Sequence, residues 1–124
     1  MDFTQVDILE SVHGISDADA DELTFGLIGF DDGNIVRRYN VWESKATGLS
    51  TSNVLGRDLF NAVALCMNNF MIAQRFEDAA SEGTVLDTTI DYVLTFRMRP
   101  TKVKLRMLAA PGTAYRYVLI HRSA

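Results

Sequence analysis

The sequence predicts an α+β domain: a central antiparallel sheet of five strands, helices packed on one face, and a helical cap at the N-terminus. Three observations carry this expectation. From Leu86 onward apolar and polar residues alternate as a half-buried strand requires. The tight turn Asp31-Asp32-Gly33-Asn34 separates two short apolar runs. After Asn69, apolar residues recur at the spacing of an amphipathic helix.

Taken in order, Thr4 to Val12 reads as a short helix, and Ser16 or Asp17 can cap a second one ending at Glu22. Residues 1–22 therefore form the cap, and 23–124 the sheet-bearing core. Leu23 to Phe30 reads as a strand whose glycines suit close packing or approach to something bound, and Ile35 to Tyr39 returns as its hairpin partner. From Asn40 to Asn69 no long period holds; Thr47-Gly48, Ser50-Thr51-Ser52 and Gly56-Arg57-Asp58 indicate short helices joined by turns. Asn69 is placed to cap a helix with Ile72, Phe76, Ala79 and Ala80 on one face and Gly83 at its end. Leu86, Thr88, Ile90, Tyr92, Leu94, Phe96 and Met98 share one face of the next strand. A further strand after Pro100 alternates Val103, Leu105 and Met107 with Lys102, Lys104 and Arg106. Pro111-Gly112 makes a turn, and Tyr115 to Arg122 supplies the last strand.

Composition narrows the function. With 124 residues, 48% of them hydrophobic and 23% charged, one domain with a core of its own is expected. A net charge of −4 argues against nucleic acid as the main partner. The N-terminus lacks the pattern of a signal peptide, and no apolar run reaches the length of a membrane span, so a soluble, cytoplasmic protein is expected. Residues 1–36 hold nine acids and no Lys or Arg, whereas seven Lys or Arg and no acid follow Asp91. The simplest reading lays the acidic arm against the basic C-terminal strands.

One cysteine, Cys66, allows no internal disulfide and no cysteine-rich zinc site. Before it stand Tyr39, Glu43 and Thr47, four residues apart, which one helical face would align. Apolar neighbours surround both groups, where a hydroxyl and a carboxyl need partners. A thiol facing such a cluster can hold a ligand covalently at one end and by hydrogen bonds at the other. Separately, a lone cysteine is more often an inert small hydrophobe, and Glu43 with Thr47 a solvated helix face; the combination carries the signal.

The element order is that of a PAS domain, a fold that hosts ligand sensors and pairing modules alike. Residues 23–122 resemble the photoactive yellow protein family of blue-light receptors. The likeness is carried by Phe25-Gly26, Asp32-Gly33-Asn34-Ile35, Tyr39-Asn40, Glu43, Thr47-Gly48, Val63-Ala64, Cys66, Met98 and Pro100-Thr101-Lys102-Val103. The resemblance implies p-coumaric acid (4-hydroxycinnamic acid) bound as a thioester on Cys66. It implies Tyr39 and Glu43 as hydrogen-bond partners of the phenolic oxygen, with Thr47 orienting Tyr39. The Cys66 backbone N–H would hold the thioester carbonyl. Met98 would lie on the loop that governs return to the dark state, and Phe96 takes the place of a pocket tyrosine.

Three departures stand out. Leu49 replaces the family arginine over the chromophore, Leu65 replaces the proline before the cysteine, and the residues after Cys66 differ from the family's, with a turn after Gly83 one residue longer. Arg99, beside Met98, is a candidate to supply the missing cation. On this reading a neutral Glu43 donates to the phenolate in the dark. After isomerisation its proton leaves, and the buried carboxylate loosens the N-terminal helices.

Two other classes stay open. One is a PAS module that senses a ligand or pairs with a partner without light. The other, an enzyme with Cys66 as acyl-transfer nucleophile, is disfavoured because His13 and His121 lie near the chain ends. The expected partners are the covalent chromophore and a downstream signalling protein, with the chain a monomer or weak dimer.

Overall fold

The hairpin around Asp31 starts the sheet. Asp31 Oδ1 accepts the backbone N–H groups of Gly33 at 2.9 Å and Ile35 at 3.0 Å, and Asn34 takes φ 65°, as the sequence of the turn foretells. In the computed structural model, which describes residues 1–95 and 100–122, the flanking strands are β1 (Gly26–Phe30) and β2 (Val36–Tyr39). Three long strands follow: β3 (Leu86–Leu94), β4 (Thr101–Ala109) and β5 (Arg116–Arg122). Their order is β2-β1-β5-β4-β3, every neighbour antiparallel. The sheet is that of a PAS fold.

β3 alternates as predicted: Asp87, Thr89 and Asp91 are exposed, while Leu86, Thr88, Ile90 and Tyr92 are partly covered. It ends at Leu94. Phe96 and Met98, assigned to the site from the sequence, and Arg99, the candidate cation, lie outside the described residues.

Among the described residues, five short helices decorate the sheet: α1 (Ile8–Gly14), α2 (Asp17–Ala20), α3 (Val41–Thr47), α4 (Thr51–Val54) and α5 (Ala73–Glu82). A π-helical turn (Leu59–Val63) and a 3-10 turn (Leu65–Met67) join α4 to α5. The first helix starts later than expected and the second stops at Ala20. β1 likewise begins at Gly26 rather than Leu23, because residues 21–25 turn the chain into the sheet. Asn69 caps as foreseen but one turn early, its Oδ1 accepting from the N–H of Met71 and Ile72. In α5 Phe76 and Ala79 are buried, with Ile72 just before it, whereas Ala80 is exposed; Gly83, at φ 67°, closes the helix.

Apolar residues cover both faces of the sheet. On one, Ile28, Tyr39, Leu94, Val103, Leu105, Val118 and Ile120 pack with Leu59, Phe60, Met67, Ile72 and Phe76 of the helical side. On the other, Phe3, Ile8 and Val12 pack against Leu27, Leu108, Tyr117 and Leu119. The N-terminal segment therefore shields the face that the later helices leave open.

Among the described residues, no ion pair fastens that segment to the C-terminal strands. Arg106 of β4 donates instead to the carbonyls of Phe3 at 2.9 Å and Gln5 at 2.8 Å, and its carboxylate partner is Asp87 of β3. The arm's own ion pair runs from Asp17 to Arg38 of β2, whose guanidinium also takes the carbonyls of Val12 and Ile15. Unpaired carbonyls at the end of a short helix need donors, and a buried guanidinium supplies several at once. Among the described residues no helix is long and apolar enough to cross a membrane.

Candidate functional site

Asn40 builds the centre of the site. Its side chain accepts the N–H of Glu43 at 3.1 Å, which ends β2 and starts α3, and its amide donates to the carbonyls of Ala20 and Phe25. Tyr39 is consequently the last residue of β2 and is not on the helix, so the sequence expectation of three residues on one helical face is corrected. Glu43 and Thr47 do stack one turn apart on α3. Tyr39 still joins them, because its hydroxyl reaches Thr47 Oγ1 at 2.7 Å.

The direction of that bond follows from the rest of the network. Thr47 Oγ1 donates its hydrogen to the Glu43 carbonyl at 3.0 Å and accepts the N–H of Leu49, so Tyr39 is the donor to Thr47. Burial pushes the Tyr39 phenol up to about 12, and the neighbouring Glu43 charge adds to the rise against the opposing effects of Thr47 and Arg122. Tyr39 is thus a neutral donor at any ordinary pH.

Glu43 is fully buried. Both its oxygens accept from one guanidinium, Arg122 Nη1 to Oε1 at 2.6 Å and Nη2 to Oε2 at 2.9 Å. Burial draws the Arg122 guanidinium down, but the hydrogen bonds and charge of Glu43 outweigh it and hold it above its ordinary value. Gly26 of β1 makes the room: a Cβ there would overlap Oε1 of Glu43. Arg122 was not among the candidates drawn from the sequence. Strand parity was the available signal, since Arg122 shares its face of β5 with the buried Val118 and Ile120.

Cys66 lies within the 3-10 turn and is partly buried against the same apolar cluster that holds Tyr39; Leu49 packs there too. The Cys66 carbonyl accepts from the Tyr92 hydroxyl at 2.5 Å, and Asn69 Nδ2 bonds both that hydroxyl and the carbonyl. Tyr92 and Asn69 therefore fix the turn that carries the thiol, a role the sequence gave no local sign of. Leu65, just before the thiol, is largely exposed. Among the described residues no group of three or more His, Cys, Asp or Glu could hold a metal ion.

No protein-family model matches the sequence. Individual relatives do. The photoactive yellow protein of Halochromatium salexigens is 36% identical over 108 residues, 87% of this chain and 86% of that protein. That of Rhodothalassium salexigens is 34% identical over 114 residues, 91% of this chain and 90% of the relative. The chain belongs to the photoactive yellow protein family. In structure it is similar to the photoactive yellow protein domain of the sensor histidine kinase Ppr from Rhodospirillum centenum, with a TM-score of 0.83 and 32% identity over 91% of this chain and 98% of that one. A PAS domain of the Cronobacter turicensis quorum-sensing receptor RpfR, at a TM-score of 0.63 and 12% identity, shares the fold alone. Membership of the photoactive yellow protein family places the chain among PAS-fold photoreceptors. Position 49 is apolar, and the cation described on Glu43 is Arg122.

Proposed function

We propose that this chain is a blue-light receptor carrying p-coumaric acid as a thioester on Cys66. The observation that carries the reading is the fully buried Glu43 beside the Tyr39–Thr47 pair, on the same core as a partly buried single cysteine. These residues fit an aromatic acyl group with a phenolic end. Tyr39 is a neutral donor, Glu43 has space only because Gly26 lacks a side chain, and Arg122 balances one negative charge. When bound, the coumaroyl group supplies the absorption of blue light and a double bond that isomerises.

The chain's own residues do the remainder. Cys66, as a thiolate, attacks an activated acyl donor and expels its leaving group, and burial keeps water from the resulting thioester. Tyr39 and Glu43 hold the phenolic end; for Tyr39 to donate there, Thr47 must turn its hydrogen from the Glu43 carbonyl to Tyr39 Oη. Glu43 keeps a proton at its carboxyl oxygen in the dark and releases it after light. Glu43 then ionises beside Arg122 rather than without a partner, so rearrangement of the hydrogen bonds in a closed core, not an unpaired charge, loosens the least secure part of the fold. The N-terminal segment, held through Arg38 and Arg106, is that part, and its movement is the signal to a downstream partner.

The test is chemical. Protein incubated with activated p-coumaric acid is expected to turn yellow and to gain one coumaroyl group by intact mass, and Cys66→Ala to do neither. A wild type left unmodified would sink the reading and favour a light-independent PAS module, in keeping with leucine at positions 49 and 65.

A further inference from the structure

We propose that Arg122 is the resident cation of this site: it holds Glu43 as a carboxylate when no other anion is present, and it receives that carboxylate again once Glu43 has given up its proton. The second half rests on the photoreceptor reading; the first does not.

A carboxylate with no exposed surface needs a close partner, and a guanidinium bound through both oxygens is the strongest available form. Arg122 is itself largely desolvated, its side chain 17% exposed. It sits at the last paired position of β5, opposite Val103, and its parity turns it toward α3. Position 49, the site of the family arginine, offers only an apolar side chain. Among the described residues, the charged and titratable groups facing Glu43 are Tyr39 from β2 and Arg122 from β5, while β1 contributes Gly26, which has no side chain. As a staple between helix and strand, a buried ion pair is no better than an apolar contact of the same size. Its use lies in the charge.

The charge balance is closed. Glu43 breaks its O–H bond and a phenolic O–H bond forms; nothing is oxidised or reduced. The site holds one negative charge before and after, and Arg122 neutralises it in both positions. The carboxylate therefore arrives at a fork already in place rather than at bare apolar surroundings. On this proposal the guanidinium lengthens the life of the state with ionised Glu43.

Infrared spectra of the unloaded protein test the first half. At neutral pH wild type is expected to show no protonated-carboxyl band from Glu43, whereas Arg122→Gln shows one that vanishes in Arg122→Gln with Glu43→Gln. A folded Arg122→Gln without that band overturns the proposal. Arg122→Lys keeps the charge but loses the fork, so its band should appear at higher pH than in wild type. Identical titrations overturn the proposal even if Arg122→Gln fails to fold. After reaction with activated p-coumaric acid, verified by mass, flash recovery of Arg122→Gln should be about tenfold faster or more, because a buried carboxylate would lose its partner; Arg122→Lys should fall between. Unchanged recovery overturns the second half. If wild type gains no mass, the Cys66 reading fails and the infrared titration alone decides the role of Arg122.

Discussion

Gly26 on β1 and Glu43 on α3 share one space, the strand residue lacking a side chain where the helix residue places its carboxyl. A Cβ on Gly26 would overlap Oε1 and lie 3.0 Å from Cδ of Glu43. Gly26→Ala must displace a buried, doubly bonded carboxylate, and a cost of about 1–3 kcal/mol is expected from overpacking. Urea denaturation of the unloaded protein measures it. Gly14→Ala, which meets nothing within 4 Å, serves as the control. Equal midpoints for the two variants would mean that the carboxyl does not occupy this space.

Tyr39 ties the site to alkaline stability. Its pKa stands at about 12 in the fold against 10.0 for the free group, because burial favours the neutral phenol. The folded state thus holds its proton more tightly than the unfolded chain. That contribution is present in full below pH 10 and is lost as pH rises from 10 to about 12. Tyr39→Phe should flatten the fall of stability over this window. The tyrosinate absorbance difference between wild type and Tyr39→Phe should rise near pH 12, and a rise near pH 10 would contradict the buried pair.

The turn bearing Cys66 depends on Tyr92. Removing its hydroxyl breaks the bond to the Cys66 carbonyl and leaves the Asn69 amide with one partner fewer. Tyr92→Phe is expected to cost about 1 kcal/mol and to speed reaction of Cys66 with a bulky disulfide reagent. Wild-type thiol kinetics in a folded Tyr92→Phe would show that the turn is held without it.

Arg106 secures the start of the chain through two carbonyls, those of Phe3 and Gln5. Arg106→Ala leaves these groups, and Asp87, without their donor, a loss of about 2–3 kcal/mol for hydrogen bonds to a charged group. Hydrogen exchange should accelerate in residues 1–15 while β1 and β5 keep their protection. Uniform acceleration throughout the chain would show instead that the arm and the sheet open as one unit.

Local chemistry alone settled much of this molecule. The Asp31 turn, the alternation of β3 and the stop at Gly83 are set by neighbours in sequence, through φ preferences and strand or helix period, so they were legible. So was the stacking of Glu43 over Thr47, which needs only one helical turn. Periodicity says which face of an element is buried but not what lies across from it. Tyr39 and Thr47 were grouped for the wrong reason, on a common helix, and are joined because Asn40 folds the strand end against α3. The two elements beside Cys66 and Glu43 come from further away: Tyr92 is 26 residues from the thiol, and Arg122 is 79 from Glu43. By itself the sequence made Arg122 one basic residue among seven near the C-terminus. Only the strand order β1-β5-β4 carried it to a carboxylate sealed from water, where its guanidinium binds both oxygens of Glu43.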